Sequence, residues 1–378
     1  MSILWKNQEK ILTILIWICC GFSFLWLLKV MLLGYYPDFK TQYYVPKIAF
    51  SGENPYITSK ILYTPQVYPP TAFFFFLPFS LFTLEFSSYL YTAFSIGALL
   101  LSLYLLSKIH KLHFFGRVNL FLLTLVFLSF PVKFTLGMGQ VNLYILLLMV
   151  IGLWYLQKKK EVIGGVFFGF CLVLKMFPLI LPLYFFLKLK GRILFGIFLS
   201  LSIGTLLVIV FIPHSLIESF FSILPSFISS WKLDYYNQAI SGVIGRSWGV
   251  NPMTVFLKTI LSLLSVVVTF YVILKKKGDG FENVSLIVCS LITLNLLINT
   301  FSWQHHFVWL IIPLYAAFSY MRTRHYKFKY FIALFVAYFL VSINFKNPDI
   351  LPVLLQSHVF YGGAILLALQ IKLLFDSK

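Results

Sequence analysis

Eleven acidic side chains are spread over 378 residues, and Asp38 is the one best placed for chemistry. It stands in Gly34-Tyr35-Tyr36-Pro37-Asp38-Phe39, just past the first long apolar run, and no other acid lies between Glu9 and Glu53. A carboxylate hemmed by aromatics near a bilayer surface is partly desolvated, which raises its pKa toward the range of a general base. A solvated loop acid or a helix N-cap would look the same in sequence. Gln140 and Asn142, in Gly137-Met138-Gly139-Gln140-Val141-Asn142, open an apolar run. Polar groups there must face either a partner helix or a cavity. Lys175 interrupts another apolar run, at Lys175-Met176-Phe177-Pro178, where the chain is expected to hinge. Such a cation either snorkels to the surface or meets an anion such as a lipid headgroup.

Further along, Asn237, Gln238 and Arg246 share a polar stretch in a long loop. The guanidinium fork suits phosphate, and an ordinary interfacial arginine is the plainer reading. Ser302-Trp303-Gln304-His305-His306 heads another apolar run. Adjacent histidines diverge by about 100° on a helix, so they make a poor chelate, and no metal site is expected. Either one suits a hydrogen bond to a phosphate or hydroxyl. Tyr56 and Tyr68 fit stacking on a sugar or membership of an interfacial aromatic belt. The four cysteines lie inside apolar runs without metal-ligand spacing. There is no Walker loop, dinucleotide fingerprint, Asp-x-Asp pair or serine elbow, so no cofactor and no soluble nucleotide donor is expected.

The elements that must hold these residues are set by composition. Apolar residues make up 60% and charged residues 11%, far from the quarter charged that a water-soluble globule carries. This excludes a soluble enzyme and a disordered chain. The formal net charge of +19 does not indicate a nucleic-acid partner, because the Lys and Arg cluster between apolar runs and set topology there. Runs at 11–33, 87–106, 118–134, 140–156, 193–213, 253–274, 284–300, 306–320, 329–344 and 352–374 are long enough to cross, with 163–187 divided in two and 69–84 too short and Pro-broken. The run 11–33 suits a span better than a cleavable signal. We expect an all-α polytopic protein of about twelve transmembrane helices, both ends inside, forming one integral membrane domain over 1–378. Two outer loops, 34–70 and 214–251, are about 40 residues each and aromatic, with seven tyrosines in the first. Amphipathic helices lying on the membrane surface are expected in them. The basic clusters put Asp38, Lys175 and His305 on the same, non-cytoplasmic side.

Taken in order, several fragments resemble glycosyltransferase family 87 of the GT-C superfamily. They are Pro37-Asp38-Phe39, Gly52-Glu53-Asn54-Pro55-Tyr56, Tyr68-Pro69-Pro70, Gly139-Gln140-Val141-Asn142, Gly164-Gly165…Gly169…Lys175-x-x-Pro178, Asn237-Gln238…Gly242…Arg246 and Ser302-Trp303-x-His305-His306. The resemblance implies a GT-C fold and an inverting hexosyltransferase of the plasma or inner membrane, acting extracytoplasmically in cell-envelope assembly. Its donor would be a polyprenyl-phosphate sugar, with mannose the expected sugar, and its acceptor a lipid or glycan. It also implies Asp38 as catalytic base, His305 or His306 beside the donor phosphate or acceptor, and Lys175, Gln140, Asn237 and Arg246 as pocket residues. The competing reading, a transporter or flippase for a lipid-linked glycan, needs polar groups through mid-membrane. The polar groups here sit mostly near one set of helix ends.

Overall fold

In bilayer hydrocarbon every backbone polar group must be satisfied within its own segment, so apolar runs of this length become helices. The computed structural model describes residues 3–57, 61–176, 179–230, 233–276 and 280–376, and its regular elements are all helical. The first half comprises α1 (Ile3–Leu33), α2 (Pro37–Phe50), α3 (Phe73–Phe76), α4 (Leu84–Ile109), α5 (Arg117–Leu128), α6 (Phe130–Met138), α7 (Asn142–Gln157), α8 (Glu161–Leu174) and α9 (Ile180–Leu187). The second comprises α10 (Gly191–Phe211), α11 (His214–Ser230), α12 (Ile240–Trp248), α13 (Pro252–Lys275), α14 (Phe281–Ile298), α15 (Ile311–Thr323), α16 (Phe328–Ser342), α17 (Val353–Gln356) and α18 (His358–Asp376).

Among the described residues, six helices are long and apolar enough to cross a membrane: α1, α4, α10, α13, α14 and α18. The pair α5 and α6 makes a seventh candidate, bent by 51°. Its bend falls where Ser129 is extended and Pro131, lacking an N–H, opens the next helix. The expected twelve is therefore not reached by length. Apolar runs such as 140–156 and 329–344 fold as helices of 16 and 15 residues, roughly 24 Å long, because turns at both ends shorten them. Residues 70–81 form short 3₁₀ and α turns interrupted by Pro78. The expected hinge after α8 opens at Lys175, which is extended, while Phe177 and Pro178 lie outside the described residues.

α14 is the most deeply buried long span, and α1 and α13 are the most exposed to lipid. α8 packs against α7 and α10, α4 against α7, α1 against α5, and α18 against α14 and α16. The α8–α10 pair approaches closely because its contact is made by glycines. A Cβ on Gly165 would sit 2.1 Å from the Ile193 carbonyl oxygen, and one on Gly196 2.1 Å from that of Val162. Gly165 and Gly169 form a small-xxx-small stripe of the kind that lets helix backbones touch in lipid. Asn251 and Thr254 cap α13 reciprocally, each accepting from the other's backbone N–H at 3.0 and 2.9 Å.

The two long loops fold against each other. Val45, Ala49, Tyr56 and Phe73 from the first region pack on Leu216 and Phe220 of α11 and on Val208 and Ile212. Asn54 donates to Ser219 across this contact at 2.7 Å.

Substituting Gly165 by Ala is expected to destabilise the solubilised protein by about 1–3 kcal/mol through overpacking. Gly97, which has nothing within 4 Å of a built Cβ, should instead gain or hold stability as Ala. Thermal unfolding of the two variants side by side checks this. A drop for Gly97→Ala matching that of Gly165→Ala would rule out close packing as the cause.

Candidate functional site

Asp38 occupies the first turn of α2, where the helix dipole favours an anion. Tyr36 precedes it in the left-handed region, and its N–H is held by the Gly137 carbonyl at 3.0 Å, which fixes the start of α2 against the end of α6. That end turns at Gly139, with φ +69°, where a Cβ would lie 2.5 Å from the Phe39 Cβ. Glycine is required twice over, by backbone conformation and by contact. The close approach puts Gln140 directly against Asp38.

Gln140 joins the two charges of the site. Its side-chain N–H donates to Asp38 Oδ2. Its Oε1 accepts from the Tyr68 hydroxyl at 2.6 Å and from Lys175 Nζ at 3.4 Å. Lys175 Nζ also donates to Asn142 Oδ1 at 3.2 Å and stands 5.4 Å from the Tyr68 ring centroid. Lys175 reaches in because α8 stops just before it. Burial raises the Asp38 pKa, opposed by hydrogen bonds from Gln140 and Thr64 and by the Lys175 charge. Burial pushes Lys175 down to about 7, with Asp38 opposing.

Asp38, Tyr68, Gln140 and Lys175 line a cavity of about 270 Å³ together with Gln42, Thr64, Asn299, Trp303, His305 and His306. Among the described residues, Asp38 is the only acid and Lys175 the only Lys or Arg in its lining. Both histidines are buried, and their segment is positioned by the His305 carbonyl, which accepts from Thr135 at 3.1 Å and from Asn142 at 3.3 Å. Among the described residues the Nδ1 of His305 has no hydrogen-bond partner. Phe134, Tyr236 and Trp303 form an aromatic wall beside it. A second, apolar cavity of about 370 Å³ adjoins the first at Pro69, Met176 and Phe220 and runs between α8, α10 and α11. Among the described residues no group of three or more His, Cys, Asp or Glu is placed to hold a metal ion.

Of the residues singled out from sequence, Asp38, Tyr68, Gln140, Lys175, His305 and His306 share this cavity. Asn237, Arg246 and Tyr56 stand outside its lining, in a supporting frame. Asn237 Oδ1 accepts from Ser302 N at 3.2 Å and its Nδ2 donates to Thr300 O at 3.1 Å. Backbone bonds from Gln238 to Ser302 at 2.8 Å and from Gln304 to Tyr236 at 2.9 Å complete a short antiparallel bridge. Arg246 spends Nη1 on the carbonyls of Asp234 and Asn237, at 2.8 and 2.7 Å, and Nη2 on Ser357 Oγ at 3.0 Å. The Tyr56 hydroxyl donates to the Tyr68 carbonyl at 2.9 Å and so fixes Tyr68 from behind.

Sequence reasoning missed Gln42, Thr64 and Asn299. Gln42 was within reach, since four residues beyond Asp38 on a helix lies on the same face. Thr64 gave no local signal: it arrives by folding of the loop, where its N–H bonds the Thr41 hydroxyl at 2.8 Å.

Gly139→Ala is expected to strip activity at least about tenfold by forcing α2 away from Gln140, with a stability loss of about 1–3 kcal/mol from the left-handed backbone alone. Steady-state transfer rates and thermal melts on the same preparation test it. Full activity in the Ala variant would show that the α2–α6 approach does not position the site.

Comparison with curated proteins gave no significant match, and comparison with solved structures gave none either. The sequence model of glycosyltransferase family 87 matches residues 67–300, well over half of the chain, a range that includes Tyr68, Gln140, Lys175, Asn237 and Arg246 and leaves Asp38, Tyr56 and the two histidines outside. The chain belongs to glycosyltransferase family 87 and is a membrane glycosyltransferase.

Proposed function

We propose that this enzyme transfers a sugar, mannose by preference, from a polyprenyl-phosphate donor to a lipid or glycan acceptor, with inversion, on the extracytoplasmic face of the cell membrane. The observation that carries this reading is the pairing of one buried carboxylate and one half-buried ammonium across a cavity continuous with an apolar groove. Asp38 takes the proton of the acceptor hydroxyl as its oxygen bonds to the anomeric carbon. The bond from that carbon to the donor phosphate breaks, and polyprenyl phosphate departs as an anion. Lys175, with hydrogen bonds from Tyr68 and His305 or His306, stabilises the charge on the leaving phosphate. A single carboxylate suits one displacement, whereas retention by a covalent intermediate takes two. The isoprenoid chain lies in the groove lined by Leu172, Val173, Leu201 and Ile209, which supplies apolar surface and few polar atoms. The two outer segments, 34–70 and 214–251, cover the site, and the shorter apolar helices α7, α8 and α16 supply crossings toward the twelve expected.

Transfer of radiolabel from polyprenyl-phosphate mannose by purified protein in proteoliposomes is the direct test. Asp38→Asn should lower kcat by about 100- to 10,000-fold, the usual contribution of a positioned base, while donor binding persists. Undiminished turnover would remove Asp38 from the reaction. Activity with a soluble nucleotide sugar in its place would refute the donor.

The pH dependence follows from the two pKa shifts. Asp38 works deprotonated, so kcat/KM rises with pH through its elevated pKa. Lys175 works protonated, and with its pKa at about 7 in the free enzyme, kcat/KM falls as pH passes that value. Lys175→Arg keeps the charge at all these pH values and should abolish the alkaline fall, though with a lower maximum because the fork does not reproduce a point charge. A wild-type profile that stays level up to pH 9 would contradict this.

A further inference from the structure

A cavity larger than the one that holds Asp38 lies elsewhere in the fold. It measures about 520 Å³ and lies at the opposite ends of α7, α14 and α15, where α4 also stops. The walls come from Ile109 to Leu112 after α4, Gln157 at the end of α7, the first turn of α14, and the last turns of α15. The ends of α4 and α7 are clamped by Gln157 Nε2 donating to the Ile109 carbonyl at 2.9 Å, and Ser319 donates to the His110 carbonyl at 3.3 Å. The cavity is thus a built feature of four helix ends, at the level where membrane spans meet headgroups.

Its chemistry is that of an anion site. Among the described residues, Lys111, Arg322 and Arg324 line it against one carboxylate, Glu282. Glu282 is engaged by Arg324 at 3.5 Å, which leaves Lys111 and Arg322 in excess. The N-terminus of α14 opens into the same space. Its first intrahelical bonds are made by Asn283 and Val284 to the Gly280 carbonyl at 3.0 and 3.1 Å, so the preceding N–H groups and the positive end of the dipole face the cavity. Independently, the Tyr320 hydroxyl is buried in a side chain 4% exposed and has no hydrogen-bond partner among the described residues. His110 Nε2 shares that condition. Buried polar atoms without partners are rare in native proteins and call for a missing one.

We infer that this cavity binds a phosphate-bearing anion, the headgroup of an acidic phospholipid drawn from the adjoining leaflet. Phosphate oxygens accept from Tyr320 at the floor and meet Lys111 and Arg322 at the rim, while helix ends at the bilayer boundary admit the attached acyl chains. The site is remote from Asp38 and does not depend on the donor assigned above.

The test uses full-length protein purified in detergent, with phosphatidylglycerol and phosphatidylcholine retention measured by native mass spectrometry. Phosphatidylglycerol retention should fall at least threefold in Arg322→Ala and in Tyr320→Phe, the latter losing one hydroxyl and no charge. Lys108→Ala, in the same basic cluster but outside the cavity lining, should leave it unchanged. A parallel titration with inorganic phosphate, read by thermal shift, identifies the source. Protection of wild type but not of Arg322→Ala points to a free phosphate, and retention loss without protection points to the lipid. Retention equal in wild type, Arg322→Ala and Tyr320→Phe with no phosphate protection overturns the inference. So does a loss in Lys108→Ala as large as that in Arg322→Ala, which would reduce the effect to diffuse surface charge.

Discussion

A buried carboxylate and a half-buried ammonium in the same cavity, joined by one amide, are the constraint on which the rest of this enzyme depends. Alone, either charge would carry a desolvation penalty of several kcal/mol. Together, with Gln140 donating to one and accepting from the other, the pair is tolerated and its members are held at fixed separation. Burial moves each pKa toward the working range, Asp38 upward and Lys175 downward, and the pairing partly opposes both shifts. Three backbone features create it: the helix start at Asp38, the left-handed turn at Gly139 and the helix stop before Lys175. They come from distant parts of the chain, which explains why so much of the bundle serves to register three ends.

Around this centre lies a frame of polar residues that make no contact with the cavity lining's charges. Arg246 and Asn237 saturate backbone carbonyls and amides, and through the 237–303 bridge they fix the segment that carries both histidines. Tyr56 does the same for Tyr68. Such pairing offsets the cost of taking these polar groups out of water. Their contribution to activity is through the position of others.

The class of the protein was plain in its composition, because a chain so poor in acids has too little polar surface to fold in water. Asp38, Gln140, Lys175 and the histidines were legible for a related reason. In lipid-facing stretches a polar side chain needs a use, so its presence is informative. The same logic did not show what Arg246 touches, which is two backbone carbonyls and the Ser357 hydroxyl. Sequence holds no record of which backbone groups are left over after folding. Gln42 and Thr64 were hidden among ordinary loop residues, and their place depends on how the first outer segment closes on itself. Hydropathy alone does not fix the number of crossings, because it measures the length of an apolar run and not where Pro131 or a left-handed turn divides it.

The stitch between Asn237 and Trp303 has a bearing on traffic. A segment sewn to the histidine strand by paired amides, and riveted by a guanidinium on three further oxygens, cannot swing aside as a gate without breaking all of them. The flank beside Leu201 and Ile209 needs no such rupture. The bilayer-borne donor proposed above would slip in edgewise there, while the door toward water stays bolted.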